Sequence, residues 1–155
     1  MKTIRIFVAC SSLTWLMLAP ASASAAELPD GTIVHLRLVS PITSELTKAG
    51  DSIRFVVDSD VVIDGAVVIS RKTEAVGTVV AARNTSRTGL RQHAKLSFAF
   101  IQTTAVDRQS IRLRTPNGYG QVNLDRGGYH HDLQWATEGD VFDALVAGDY
   151  VFQLR

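Results

Sequence analysis

The chain has 155 residues, of which 16 are lysine or arginine and 15 are aspartate or glutamate, for a formal net charge of +1. A charge this close to zero excludes any argument from global charge for binding to nucleic acid or an anionic membrane. The single cysteine, Cys10, excludes an intrachain disulfide and a cysteine-based metal site.

Residues 1–25 have the pattern of a secretory signal peptide. Lys2 and Arg5 form a positively charged start, residues 6–19 are mostly apolar, and residues 21–25 are the small residues that a signal peptidase accepts. The apolar run is shorter than the roughly 20 residues that a membrane-spanning helix needs, so a retained anchor is the less favoured interpretation. We therefore expect an exported protein, periplasmic or secreted.

The mature protein is expected to be one domain comprising residues 26–155. Lys2 and Arg5 are the charged residues of the removed segment, so 14 basic and 15 acidic side chains remain. No later apolar run reaches spanning length, so we expect no transmembrane helix in the mature chain.

Short runs of alternating apolar and polar residues dominate the mature sequence, and this period of two is typical of half-buried strands. The apolar sets that would share one face are Val34-Leu36-Leu38, Ile53-Phe55-Val57, Leu96-Phe98-Phe100, Ile111-Leu113 and Tyr150-Phe152-Leu154. Asp64-Gly65 predicts a tight hairpin turn between two such runs, because both residues tolerate positive φ. Gly77 predicts a bulge or bend within a strand. The pattern favours an all-β fold, a single antiparallel β-barrel or β-sandwich.

Residues 83–95 form a predicted loop that contains basic residues and no acidic one. The candidate binding residues are Arg83, Arg87, Arg91, His93 and Lys95. They could form a patch for an anionic partner, or they could be the solvated tip of a hairpin. We expect no nucleic-acid partner, because aromatic residues that would stack on bases are scarce in this stretch.

Residues 118–138 show weak periodicity and are predicted to form a long loop, a frequent location of function. Within it, His130, His131 and Asp132 are candidate metal ligands, since imidazole and carboxylate together bind zinc and other divalent ions. Adjacent histidines point in opposite directions in an extended segment. A polar surface loop with two exposed histidines is therefore the alternative interpretation.

Residues 140–148 carry the signals of a short helix near the C-terminus. Asp140 is a suitable N-cap and Gly148 is a suitable C-terminal glycine. The run is short, and a strand is the alternative.

The sequence pattern of residues 31–114 resembles that of small exported bacterial β-domains. More distantly, it resembles that of the C-terminal β-barrel of type IV secretion and conjugation core-complex proteins. Those barrels show an isoleucine-proline-x-glycine-threonine segment followed by a further glycine. Three residues of this pattern are present here, namely Ile69, Thr73 and Gly77. Ser70 stands in place of the proline, and Lys72 stands in place of the glycine. The resemblance implies a β-barrel. It does not imply a secretion channel, because the sequence shows no helical hairpin that would cross the outer membrane.

No nucleophile elbow or phosphate-binding glycine loop is present in the sequence. We therefore expect a non-enzymatic exported domain, a binding or structural module of the cell envelope, with no cofactor. The expected partner is an envelope protein or an anionic envelope polymer. The alternatives are an envelope-polymer hydrolase or metal-binding protein that uses residues 129–138, and a small outer-membrane barrel.

Overall fold

The computed structural model describes residues 25–84, 93–125 and 133–153. In these ranges the chain forms strands and turns and no helix. The strands are β1 (Ala25–Leu28), β2 (Ile33–Leu38), β3 (Ile42–Thr43), β4 (Ser52–Val57), β5 (Val61–Ile63), β6 (Ala66–Ile69), β7 (Glu74–Arg83), β8 (Lys95–Thr104), β9 (Ser110–Arg114), β10 (Val122–Leu124), β11 (Trp135–Ala136), β12 (Val141–Val146) and β13 (Tyr150–Gln153). Apart from Ala25, the predicted signal peptide lies outside the described residues.

Six strands close into an antiparallel barrel in the order β8-β7-β4-β2-β12-β9, and β9 pairs back onto β8. The strand β10 pairs with the same edge of β8 as β9 does, but nearer to the start of β8. Three two-stranded sheets, β1-β13, β3-β11 and β5-β6, accompany the barrel. The all-β antiparallel fold predicted from the alternation is confirmed, as a barrel and not a sandwich.

The barrel interior is filled by the apolar faces that the alternation predicts. Phe55 and Phe98 are fully buried, with ring centroids 5.6 Å apart. Phe100 and Phe142 pack edge-on against Phe55, at 5.5 and 6.2 Å. The outward positions include exposed arginines and exposed apolar residues. The arginines are Arg37, Arg54, Arg112 and Arg114, and the apolar residues are Ile33, Val80, Ile101 and Val141.

Both predicted irregularities of the strands are confirmed. Asp64 and Gly65 have φ values of 51° and 80°, and Ile63 pairs with Ala66 across them, as a two-residue hairpin requires. The register between β7 and β8 shifts at Gly77. A Cβ on Gly77 would lie 2.7 Å from the carbonyl oxygen of Ala99, so the two backbones approach closely there.

The helix predicted for residues 140–148 is wrong, because this segment contains β12. β12 pairs with β2 on one edge and with β9 on the other, so neighbouring strands supply the backbone hydrogen bonds that a helix would make internally. Asp140 caps a turn instead, with its carboxylate accepting a hydrogen bond from the Thr137 N–H at 2.7 Å. Gly148, with φ of 99°, lies in the turn before β13.

The prediction that residues 118–138 form one long loop is also wrong in part. β10 and β11 lie within this range, and β11 pairs with β3. Residues 126–132 lie outside the described residues.

Asp30 joins the turn before β2 to the turn after β12. One carboxylate oxygen accepts the Gly148 N–H at 2.8 Å, and the other accepts a hydrogen bond from the Arg114 guanidinium at 3.0 Å. The Gly148 N–H, and after it Arg114, hold the pKa of Asp30 below its usual range. The charged form of this carboxylate is therefore favoured by folding.

We expect Asp30→Asn to lower the melting temperature at pH 6–7 and to have progressively less effect as the pH falls below about 4, the pKa of an unfolded aspartate. The sign follows because a depressed folded-state pKa adds stability above the unfolded value, and that stability is lost as the folded carboxylate is protonated. Asp64→Asn, at an exposed turn residue, is the control, and thermal melts between pH 3 and 7 make the measurement. A deficit for Asp30→Asn that is constant across this range would contradict the assignment.

Lys72 occupies a backbone conformation that favours glycine. Its φ is 68°, in the left-handed region, within the turn that leads from β6 to β7. Its N–H donates to the carbonyl of Val57 at 2.8 Å, so the turn is fixed against the end of β4. This is the position at which the resemblance described above places a glycine.

Replacing Lys72 with glycine is expected to stabilise the protein by about 0.5–1 kcal/mol. A left-handed φ costs residues other than glycine roughly 1–2 kcal/mol, and the greater flexibility of glycine in the unfolded state offsets part of the gain from removing this strain. Arg71→Gly is the matched control, because Arg71 does not have a positive φ and the same change there should destabilise the protein. Urea unfolding of both variants measures the difference. Equal destabilisation of both would show that Lys72 is not strained.

Candidate functional site at the β7–β8 end of the barrel

Three of the predicted basic residues lie close together at one end of the barrel. Arg83 ends β7 and Lys95 begins β8, and they are direct partners in the antiparallel register. Both side chains are exposed, and His93, two residues before Lys95, is exposed as well. Arg87 and Arg91 lie outside the described residues. The structure therefore places a pair of cations side by side on the barrel wall.

In the described part of the chain, neither Arg83 nor Lys95 makes an ion pair. Other charged residues do: Arg37 pairs with Asp58 and Arg114 with Asp30, while His35 makes a hydrogen bond to Asp143. The exposed Asp125 directly follows β10, and the pairing of Leu124 with Leu96 places it level with Lys95. Like charges directly opposite one another destabilise a strand pair. Counting the Asp125 carboxylate, this row of three residues carries a net charge of +1, so the repulsion between Arg83 and Lys95 is partly compensated within the chain.

Ser44, which sequence reasoning did not single out, joins the segments that flank both predicted loops. Its buried hydroxyl donates a hydrogen bond to the Asn84 side chain at 2.9 Å and accepts one from the Gln134 N–H at 3.1 Å. The Ser44 N–H also donates to the Gln134 carbonyl at 2.8 Å. Asn84 immediately follows β7 and Gln134 immediately precedes β11. The ends of these two elements are thus fixed to one another.

The predicted metal ligands His130, His131 and Asp132 lie outside the described residues. Within the ranges that the structure describes, no group of three or more histidine, cysteine, aspartate or glutamate side chains could hold a metal ion. The metal site therefore stays a prediction from the sequence.

A second surface that sequence reasoning missed is the loop of residues 117–121 between β9 and β10. The Asn117 side chain donates to the Gln121 carbonyl at 2.9 Å and accepts from the Tyr119 N–H at 3.2 Å. Gly118 and Gly120, on either side of Tyr119, have φ values of 72° and 70°. Tyr119 is 82% exposed. The signal in the sequence is an asparagine followed by an aromatic residue between two glycines.

This Tyr119 loop contacts β8 at Ser97, which points away from the barrel interior but is fully buried. The Ser97 hydroxyl donates to the Gln121 side chain at 3.5 Å, and Gln121 in turn donates to the Asn123 side chain at 3.3 Å. Ser97 pairs with Asn123 on β10. Because Ser97 and Lys95 are two residues apart on one strand, they lie on the same face of β8.

The sequence matches no known protein-family model, and no curated protein matches it. Among solved structures, ComB10 of the Com type IV secretion system of Helicobacter pylori is similar, with a TM-score of 0.47 and 13% sequence identity. The similarity covers 83% of this chain and 92% of that chain. ComB10 belongs to a type IV secretion system, the class of system whose core proteins the sequence pattern distantly resembles.

No helix in the described ranges has the length and hydrophobicity needed to cross a membrane.

We expect Ser44→Ala to destabilise the protein by about 1–3 kcal/mol, because the buried Ser44 hydroxyl and its hydrogen bonds to the buried Gln134 and to Asn84 are lost. Ser40→Ala is the control, since Ser40 is exposed and its side chain makes no hydrogen bond to the described residues. Urea unfolding measures both. A loss in Ser44→Ala no larger than that in Ser40→Ala would mean that this junction contributes little to stability.

Proposed function

We propose that this chain is an exported, non-enzymatic β-barrel domain that binds an anionic polymer of the cell envelope through Arg83, His93 and Lys95. The mature domain would comprise residues 26–155, after removal of the signal peptide. The observation that carries the proposal is the exposed pair of Arg83 and Lys95, opposed in register and without an ion-pair partner among the described residues.

The geometry of this pair supports an anionic ligand. Residues directly opposite one another in an antiparallel pair have Cα atoms about 4.5–5.5 Å apart, so two cationic side chains can approach a single acidic group. The backbones of both residues belong to the hydrogen-bonded barrel, which limits the backbone entropy lost when a ligand binds. A polymer with repeated acidic groups would gain further from contacts with His93.

The outward arginines weigh against the small outer-membrane barrel. A membrane barrel presents an apolar band to lipid and a polar interior. Here the interior holds the phenylalanine cluster, whereas Arg37, Arg54 and Arg112 project outward. This distribution supports a barrel surrounded by water.

An anionic polymer is favoured over a protein partner by the nature of the exposed groups. Exposed single charge pairs contribute about 0–1 kcal/mol each in water, so a ligand that repeats its charge suits this surface better than one that presents it once. Binding by such contacts weakens as salt is added, because the charges are screened.

The test compares two double variants that remove the same net charge. Arg83→Gln/Lys95→Gln changes the candidate site, and Arg54→Gln/Arg112→Gln changes two exposed arginines elsewhere on the barrel that have no ion pair in the described part of the chain. The full-length gene is expressed, and protein is recovered from the periplasmic or culture fraction, where its mass reports removal of residues 1–25. Binding to polygalacturonate and to polyglutamate is measured by calorimetry at low and physiological salt.

We expect about a tenfold weaker binding of both polymers in the site variant, from about 0.5–1 kcal/mol per exposed charge, and a shallower salt dependence. The control variant should bind like the wild type. Equal losses of affinity in the two variants would mean that the polymers bind by general charge attraction and not at the candidate site. Wild-type protein that binds neither polymer would contradict the proposed function.

A further inference from the structure

We propose that the anionic polymer is an acidic polysaccharide and that Tyr119 stacks on one of its sugar rings beside the acidic group held by Arg83 and Lys95. This inference rests on the proposed function and adds the chemical class of the ligand. It identifies an aromatic contact on a loop that the charge pattern alone does not indicate.

The loop holds Tyr119 in place before any ligand binds. The Asn117 side chain bridges the loop, with one hydrogen bond to the Gln121 carbonyl and one from the Tyr119 N–H. Gly118 and Gly120 adopt left-handed φ, which other residues rarely adopt. A ring that is 82% exposed on a loop fixed in this way can contact a ligand with little loss of conformational entropy.

The side chains around Tyr119 match the chemistry of a sugar. Gln121 and Asn123 carry amide groups that both donate and accept hydrogen bonds, and sugar hydroxyl groups also do both. The hydrogen bond between the two amides, at 3.3 Å, orients them relative to each other. An aromatic ring offers a flat apolar surface that suits the apolar face of a pyranose. Stacking and amide contacts together distinguish a polysaccharide from a simple polyanion.

The position of the loop supports one continuous binding surface. Gln121 contacts Ser97, which is fully buried beneath neighbouring side chains, and Ser97 lies two residues from the exposed Lys95 on the same face of β8. Lys95 is the register partner of Arg83. The Asn123 amide and the basic pair therefore lie on adjacent rows of the same face, at the spacing of about 7 Å between alternate residues of a strand, and Asp125 shares the row of the basic pair.

A protein partner is the less favoured ligand for this surface. Protein interfaces centre on a buried cluster of large apolar and aromatic anchors. The neighbours of Tyr119 in the loop are Asn117, Gly118, Gly120 and Gln121, which provide polar groups and no second apolar anchor.

The experiment uses the same two probes, because polygalacturonate carries carboxylates on sugar rings and polyglutamate carries carboxylates without them. Tyr119→Ala removes the ring, Tyr119→Phe keeps it, and Arg83→Gln/Lys95→Gln serves as the charge reference. Melting temperatures confirm that each variant is folded, which we expect for Tyr119 because its side chain is exposed.

We expect Tyr119→Ala to bind polygalacturonate about five- to tenfold more weakly and polyglutamate unchanged, with Tyr119→Phe close to the wild type on both. Unchanged polygalacturonate binding in Tyr119→Ala, an equal loss on both polymers, or wild-type binding to polyglutamate alone would overturn this inference. In each of these cases the proposed function still stands if Arg83→Gln/Lys95→Gln weakens the binding that is observed. Wild-type protein that binds neither polymer would overturn both.

Discussion

Closure of the barrel along β8 is the constraint on which the rest of the structure depends. One edge of this strand pairs with β7, and the other is shared between β9 and β10. A closed antiparallel barrel has no free strand edges, and closure requires strands that bend and an interior that side chains fill. Gly77 permits the register shift between β7 and β8, because β7 passes so near Ala99 that no side chain fits there. The phenylalanine cluster around Phe55 fills the space that the closed wall encloses.

Local patterns in the sequence predict the strands and their inward faces well, because alternation is a property of each strand by itself. The same locality explains the wrong helix at residues 140–148. The cap signals of Asp140 and Gly148 are visible in sequence, whereas the pairing of β12 with β2, about a hundred residues earlier, is not. The basic residues of the site were predictable as a group. That Arg83 faces Lys95 was not, since the register depends on two bulges between β7 and β8. The contacts of Ser44 and of the Tyr119 loop also join segments far apart in the chain.

The residues of the candidate binding surface are held in place by the barrel. Arg83 and Lys95 are held by the strand ladder, and the Tyr119 loop is held by the Asn117 side chain and by contact with Ser97. The buried Ser44 hydroxyl fixes the end of β7 to the start of β11. Functional groups placed on rigid elements keep their geometry without a ligand, so recognition here would require little rearrangement.

The pairing of β1 with β13 has a consequence for chain connectivity. Ala26, the first residue of the proposed mature domain, and Phe152 are register partners, so the first and last strands of that domain lie side by side, with these two Cα atoms about 5 Å apart. A short linker could therefore join them, and new ends could be opened at the exposed Asp64-Gly65 turn without cutting any of the six barrel strands. A circular permutant of this kind would keep every strand pairing while reversing which half of the barrel is synthesised first.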